Sequence, residues 1–387
     1  MLIQRLKVSG LLSFGPQGID LPMGNLNVLI GPNGSGKSNL LEVLALLKAA
    51  PTNLSMPVKA MGGIREWLWK GEPKVTEVTL EAEVRGHAAG TTLRHMLALT
   101  EHGGRFEVVD EQIGEAVVPS ELEGTKLEYF FQRGNPMLYS VDAEIRRLRS
   151  DNIKPEESIL SQIRDPERYP ALAWLQEKYE QIHLYRNWSF GPGAALRREQ
   201  STHDRADFLS DGGENLPLVL SHWGSQARAA LLAELAELYE GVEDYKLPIV
   251  GGSVQLILIE RGGREISATR LSDGTLRYLC LLAILLHPDP PPLIAIEEPE
   301  LGLHPDIIPR VVKLLVAASE RTQLVVTTHS DVLVDALSLQ PESVIVCEKH
   351  DGESQFRRLE REPLKEWLEK YTLGQLWSMG EIGGNRW

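Results

Sequence analysis

Cysteine is scarce in this 387-residue sequence, which has only Cys280 and Cys347, each inside an apolar run. Neither belongs to a group of cysteines and histidines with zinc-site spacing, so a zinc motif and a disulfide framework are excluded. Long hydrophobic runs are also missing. The longest, around Tyr278–Leu286, is too short for a membrane-spanning helix, which needs ~20 residues. With no recognisable secretory leader, the chain is predicted to be cytoplasmic, with two buried thiols.

Positive charge is also in short supply. There are 40 Lys and Arg residues against 54 Asp and Glu residues, and the net charge is −14. Overall attraction to nucleic acid or an anionic membrane is therefore not expected, although a local basic groove can exist on an acidic protein. Arg146-Arg147-Leu148-Arg149 and Arg197-Arg198 are the candidate DNA contacts. We favour a solvated helix face for both.

The hydrophobic periodicity predicts an α/β chain. Two strands lead into a glycine-rich turn and a helix, alternation between residues 75 and 118 predicts antiparallel strands, and residues 143–179 and 218–239 look helical. The last third alternates helix and strand, which is typical of a mainly parallel sheet flanked by helices. We predict a single head over residues 1–387. Its predicted parts are an N-terminal lobe at 1–141 with the antiparallel strands, a mainly helical insert at 142–250 and a C-terminal lobe at 251–387.

A phosphate-binding loop is the most specific motif. Gly31-Pro32-Asn33-Gly34-Ser35-Gly36-Lys37-Ser38 fits G-x-x-x-x-G-K-[ST], between a predicted buried strand and a predicted helix that Asn39 continues. In such a loop the main-chain N–H groups surround phosphate oxygens, Lys37 reaches the β- and γ-phosphates, and the Ser38 hydroxyl binds Mg²⁺. The alternative is a chance glycine-rich turn. The motif with its strand and helix predicts that ATP and Mg²⁺ are bound here.

Two carboxylates end the predicted strand at residues 293–296. Glu297 is expected to hold Mg²⁺, and Glu298 to orient and deprotonate the attacking water. Adjacent residues of a strand point to opposite faces, which suits two separate roles. The usual metal-side residue is Asp, so Glu297 departs from the common pattern. A solvated, charged strand end is the alternative.

Two further elements accompany the carboxylates. Leu271-Ser272-Asp273-Gly274 precedes a predicted helix, and such a turn offers N–H groups and a hydroxyl to an anion. Alone, it would be an ordinary helix cap. Its position one helix before the acidic strand is the order of ABC-type ATPases, in which this signature turn completes the site of the opposite subunit. His329 ends the next predicted strand and is placed to sense a γ-phosphate.

Together these residues resemble the ABC-type ATPase heads of the RecF, SMC and OLD-type group, and more closely compact bacterial AAA-family ATPases of similar length. Residues 31–39, 271–274, 296–305 and 328–330 carry the resemblance. No heptads for a coiled-coil arm and no Cys-based hook separate the loop from the signature. Because only a short segment follows His329 here, no OLD-type nuclease domain is expected after it, and we interpret Glu348 as structural.

The resemblance implies further roles. Residues 300–304 would communicate between the two sites of a dimer. A glutamine from a loop between the lobes would join the metal site, with Gln162 and Gln132 as alternatives and Gln162 as the predicted ligand. Phe14 would lie near the adenine, and a core phenylalanine is the competing interpretation.

The sequence thus predicts an ATPase that dimerises on two ATP molecules, with Glu298 and His329 as catalytic residues. The process would be DNA repair or phage defence, with DNA or a separately encoded effector as partner. The competing hypothesis is a regulatory ATP switch that acts on a partner protein without nucleic acid. A transporter subunit and a small-molecule kinase are disfavoured.

Overall fold

The computed structural model describes residues 1–88, 90–116, 127–132, 135–139, 145–148, 153–186 and 188–384. These residues fall into two compact units. The first comprises Met1–Ile182, Glu342–Glu362 and the residues from Met379 onward, and the second comprises His183–Pro341 and Pro363–Ser378. No helix in the described ranges has the length and apolar character needed to cross a membrane.

An eight-stranded sheet dominates the first unit, in the order β2-β1-β4-β5-β6-β7-β8-β9 with antiparallel neighbours throughout. Buried and less buried residues alternate along β4, as expected of a sheet that buries one face. Its strands are β1 (Ile3–Ser9), β2 (Ile19–Pro22), β4 (Glu77–Arg85), β5 (Thr92–His102), β6 (Arg105–Glu115), β7 (Leu127–Gln132), β8 (Asn135–Tyr139) and β9 (Ile145–Arg147).

The first unit also contains β3 (Leu26–Ile30), which is buried at every residue. It runs parallel to β19 (Val344–His350), and β19 pairs antiparallel with β20 (Glu353–Arg358). The continuous apolar run of β3 is typical of a strand in a parallel sheet. The helices of this unit are α1 (Lys37–Ala49), α2 (Ser55–Ala60), α3 (Ile64–Trp67), α4 (Ile159–Gln162) and α5 (Pro170–Glu180).

The second unit is built on strands in the order β10-β17-β18. They are β10 (Ile182–Tyr185), β17 (Leu293–Glu297) and β18 (Gln323–Thr327). The last two are parallel and in register, with Glu297 opposite Thr327. The carboxyl ends of β17 and β18 therefore meet at one edge. The helices of this unit are α6 (Leu216–Ser221), α7 (Ser225–Leu238), α8 (Asp273–Leu285), α9 (Ile308–Ser319) and α10 (Asp331–Asp335).

Two small antiparallel sheets complete the second unit. Their strands are β11 (Gln200–Ser201), β12 (Val242–Lys246), β13 (Ile249–Val250), β14 (Ser253–Val254), β15 (Ile257–Glu260) and β16 (Arg264–Ser267). Near the C-terminus, α11 (Arg361–Leu368) and α12 (Leu373–Met379) span the points where the chain passes between the units.

The prediction of helix for the start of residues 143–179 is wrong. Ile145–Arg147 forms β9, because it pairs with β8 at the edge of the large sheet and this long-range pairing overrides the local charge pattern. Arg146 and Arg147 are exposed on this strand, and Arg149 lies outside the described residues. The short strand β2 is not indicated by the sequence pattern.

Candidate functional site

The loop between β3 and α1 depends on glycine at two positions. Gly31 has a φ of 147°, and a Cβ there would lie 2.1 Å from the carbonyl oxygen of Cys347. Gly36 caps α1 in a left-handed conformation, and its Cβ would lie 2.2 Å from Ser354 Oγ. A side chain at either position would therefore push the loop out of shape.

Lys37 is the first residue of α1 and is buried, with 6% of its surface exposed. Its Nζ donates to the carbonyl oxygens of Gly31 at 2.7 Å and Pro32 at 3.0 Å. The ammonium group is thus held inside the loop, while Ser38 is exposed at its edge. The Lys37 charge and the Ser38 hydroxyl thus belong to the same loop, as the binding of nucleotide phosphates and their metal requires.

A hydrogen-bond network behind the loop fixes the first turn of α1. Asn39 Nδ2 donates to Ser13 Oγ at 2.6 Å, and Ser354 Oγ donates to the same oxygen at 2.6 Å. Phe14 follows Ser13 and is fully buried, with its ring 5.6 Å from that of Phe356. Phe14 is therefore a core residue and presents no surface to a base.

The two carboxylates predicted from the sequence follow β17. Glu297 ends the strand, and its Oε2 accepts a hydrogen bond from Arg186 Nε at 3.1 Å. Glu298 has a φ of 47°, a left-handed conformation that is uncommon outside glycine and is enriched at functional sites. Its main-chain N–H donates to the carbonyl oxygen of Thr327 at 3.0 Å, which ties this turn to the end of β18.

His329 lies directly beyond β18 and meets Glu298. Its Nε2 is 3.4 Å from Glu298 Oε1, and the two side chains are 37% and 28% exposed. The structure therefore brings together the two residues that the sequence predicts as catalytic. A partly exposed carboxylate beside an imidazole is an arrangement that can accept a proton from water.

Glu300 anchors the main chain that leads to His329. Its Oε1 accepts hydrogen bonds from Thr328 Oγ1 at 2.6 Å and from the His329 main-chain N–H at 3.2 Å. The side chain is only 9% exposed, and its Oε2 is buried without a partner in the described part of the chain. Burial raises the pKa of this carboxyl above its usual range.

The signature turn caps α8. Ser272 Oγ accepts from the Thr275 N–H at 3.1 Å, and Ser272 and Asp273 are both exposed. A Cβ on Gly274 would lie 2.9 Å from the carbonyl oxygen of Gly302, so the turn packs closely against the segment after Glu300. The exposed cap leaves the hydroxyl and first N–H groups of α8 accessible to an anion.

Arg197 holds this turn in place through hydrogen bonds. The prediction that it lies on a solvated helix face is therefore wrong. It is buried, with 6% exposure. Its Nη1 donates to the carbonyl oxygen of Leu271 at 2.7 Å, and its Nη2 pairs with Asp273. The guanidinium has enough donors for several carbonyl oxygens at once, which is why it is buried. Arg198, by contrast, is exposed.

Gln162 ends α4 in the first unit. Its Oε1 accepts from the Lys154 N–H at 2.9 Å, and its Nε2 donates to the carbonyl oxygen of Glu157 at 3.0 Å. Both ends of the amide are thus engaged by main chain of the same segment. Gln132 is the last residue of β7. A metal-binding role for either glutamine stays a prediction.

The residues present fit a nucleotide with its metal ion. Within the described ranges no group of three or more His, Cys, Asp and Glu side chains could hold a metal. Mg²⁺ bound with a nucleotide needs only one or two protein oxygens, with phosphate and water as the other ligands. In the loop, Ser35 Oγ is buried and has no partner among the described residues. A buried hydroxyl without a partner at this point can donate a hydrogen bond to a phosphate bound in the loop.

Comparison with solved structures establishes the fold. An Smc head bound to the C-winged helix domain of ScpA aligns with 93% of this chain and 99% of its own, at 16% identity and a TM-score of 0.58. The Pyrococcus furiosus Smc head was solved with an extended coiled coil and the C-terminal domain of ScpA. It aligns with 95% of this chain and 98% of its own, at 14% identity and a TM-score of 0.61. The Pyrococcus yayanosii Smc head, solved with a coiled coil and joint, aligns with 95% of this chain and 99% of its own, at 12% identity and a TM-score of 0.53.

The chain has the SMC head-like fold of ABC-type P-loop NTPases, as the sequence predicts. The chain belongs to the family described as "AAA domain, putative AbiEii toxin, Type IV TA system", whose model matches residues 26–335. The family implies nucleotide binding. No curated protein matches the sequence.

Sequence reasoning missed the residues that hold the site in place. Arg186, Arg197 and the anchoring role of Glu300 depend on contacts between segments far apart in the chain. The sequence shows the pair Arg197-Arg198, but it gives no sign that Arg197 is buried. For Glu300, the local signal in the sequence was its position as the third carboxylate of Glu297-Glu298-Pro299-Glu300.

Proposed function

We propose that the protein binds ATP with Mg²⁺ on the loop Gly31–Ser38 and hydrolyses the bond between the β- and γ-phosphates. The observation that carries this proposal is the contact of Glu298 with His329, held at the ends of two parallel strands by a left-handed turn. Such a turn fits catalysis better than a solvated strand end, because strained main chain persists where the surrounding structure enforces it.

Each residue has a defined task. Lys37 holds the phosphates by charge, and Glu298 accepts the proton of the attacking water. His329 orients Glu298 and contacts the γ-phosphate. Ser38 and Glu297, with Gln162 as a third candidate, would hold Mg²⁺, which neutralises phosphate charge when it is bound. Glu297 would then exchange its contact with Arg186 for the metal.

Phosphate release with Mg²⁺-ATP tests the proposal. We expect turnover by the wild-type protein and a loss of about 100-fold or more in Glu298→Gln, because general-base catalysis contributes at least that much. Glu298→Gln should still bind ATP, whereas Lys37→Ala should bind none. Glu320→Ala, which removes an exposed carboxylate at the end of α9, is the control and should match wild type. ATP binding by Lys37→Ala at wild-type affinity would disprove the loop assignment.

We further propose that the site is completed by a second copy of the chain. The exposed Ser272 hydroxyl and the N-terminus of α8 would contact the γ-phosphate held by the partner, in the manner of ABC-type heads. ATP would stabilise the closed dimer because it binds that state more tightly, and hydrolysis would release it.

The output of this switch is proposed to lie in a separately encoded protein. Two of the similar Smc heads were solved with ScpA, and the family description names a toxin of a Type IV TA system. That description favours defence over DNA repair. Capture of a partner by Glu298→Gln with ATP would support a protein effector. Stimulation of turnover by DNA that weakens with salt would support the nucleic-acid alternative.

A further inference from the structure

We propose that Arg197 enables the signature turn to accept a phosphate, because it cancels the charge of Asp273 on that turn. Ser272 and the N-terminus of α8 are the groups proposed above to contact the γ-phosphate held by the partner copy. Asp273 directly follows Ser272 and places a carboxylate on the same turn. The inference rests on the proposed two-copy site and concerns how that site tolerates an acid beside a phosphate.

Asp273 lies where a negative charge has the largest effect. It is the first residue of α8, and 64% of its side chain is exposed. A carboxylate at this place stabilises the helix itself, because it interacts with the positive end of the helix dipole. The same interaction competes with a phosphate, and two negative charges that are brought together repel each other. An uncompensated Asp273 would therefore weaken the binding of ATP to this turn.

Arg197 supplies the compensating charge from a fixed position. Its Nη2 pairs with Asp273 Oδ1, although the arginine side chain is only 7% exposed. Its Nε donates to the carbonyl oxygen of Phe190 at 2.7 Å, and its Nη1 donates to those of Leu271 at 2.7 Å and Ala268 at 3.2 Å. The guanidinium is thus anchored on both sides, and its charge stays next to the carboxylate.

The geometry separates a structural role of the guanidinium from an electrostatic one. Nε and Nη1 bind main-chain carbonyl oxygens and so maintain the shape of the segment before α8. Nη2 is directed at the exposed carboxylate of Asp273. A planar fork with several N–H donors allows one arginine to serve both roles. The electrostatic role can be tested by itself, because Asp273 can be changed while Arg197 stays in place.

The test measures the dissociation constant of the Glu298→Gln dimer in Mg²⁺-ATP and compares further variants made in that protein. Asp273→Asn should tighten the dimer about tenfold, because the Arg197 charge then attracts the phosphate. Arg197→Met should weaken the dimer about tenfold, because Asp273 then repels the phosphate. Adding Asp273→Asn to Arg197→Met should recover most of this loss. Arg198→Met, which removes the exposed neighbouring arginine, is the control and should match the parent.

A merely structural role of Arg197 gives a different result. Asp273→Asn would then fail to recover the loss in Arg197→Met, and that loss would not shrink as salt screens the charges. Either result would overturn the inference, as would a dimer that is no tighter in Asp273→Asn alone. The Asp273→Asn measurement decides the matter if Arg197→Met does not fold. A Glu298→Gln parent that stays monomeric with bound ATP would instead contradict the two-copy site on which the inference rests.

Discussion

At the scale of single residues, Glu300 is a side chain that anchors the main chain of His329. It does not touch the reacting atoms, and it acts through two hydrogen bonds to Thr328 and to the His329 main chain. Glu300 Oε2 is buried without a partner among the described residues, which costs stability, so we propose that the side chain serves to position His329.

We predict that Glu300→Ala lowers kcat about tenfold and leaves the KM for ATP unchanged, because it frees the main chain of His329 but not the phosphate loop. Glu300→Gln should recover most of the rate, since its amide oxygen accepts the same two hydrogen bonds. Steady-state kinetics of both variants measure this. Equal loss in the alanine and glutamine variants would argue against positioning by hydrogen bonding.

The proximity of Glu298 and His329, the proposed catalytic pair, was predictable from the sequence, whereas the residues that support them were not. Glu298 and His329 each follow a buried apolar strand, and parallel strands bring their carboxyl ends to one edge. Arg197 gives no such local signal. Its contact with the signature turn depends on a carbonyl oxygen from a segment that is far away in the sequence.

At the scale of elements, a buried polar cluster joins β6 to the start of α4. Glu111 Oε2 accepts from the Ile159 N–H at 2.8 Å, and its Oε1 accepts from Ser158 Oγ and lies 3.1 Å from His95 Nε2. His95, Glu111 and Ser158 are each at most 1% exposed. The segment carrying Gln162 is therefore tied to the large sheet through one carboxylate.

Glu111→Ala is predicted to lower the free energy of unfolding by about 3 kcal/mol, because it leaves buried donors without an acceptor. Urea unfolding followed by circular dichroism measures the change. Glu77→Ala, an exposed glutamate at the start of β4, is the control and should stay within about 0.5 kcal/mol of wild type. A Glu111→Ala protein as stable as this control would show that the cluster does not hold the elements together.

Most elements were predictable because their periodicity agrees with their burial. The fully buried run of β3 and the alternating pattern of β4 to β6 are examples. The pattern failed at Ile145–Arg147, where a three-residue strand forms at a sheet edge among charged residues. Such a short strand is specified by its neighbour β8 and not by its own sequence.

At the scale of the whole molecule, the chain has the fold of an Smc head, and none of the described helices is long enough for a coiled-coil arm. Its fold matches Smc heads over nearly its full length, while its described helices are all short. The net charge of −14 disfavours overall attraction to nucleic acid and is consistent with the proposed protein effector.

The central claim is that ATP is held between two copies of the chain and hydrolysed by Glu298. The molar mass of Glu298→Gln on a sizing column with light scattering, run with Mg²⁺-ATP, tests it most directly. The chain mass is 43.1 kDa, and we predict a peak of twice that mass with one ATP per chain, which reverts to monomer when Ser272→Arg is added. A peak at 43.1 kDa that carries bound ATP would contradict the two-copy site.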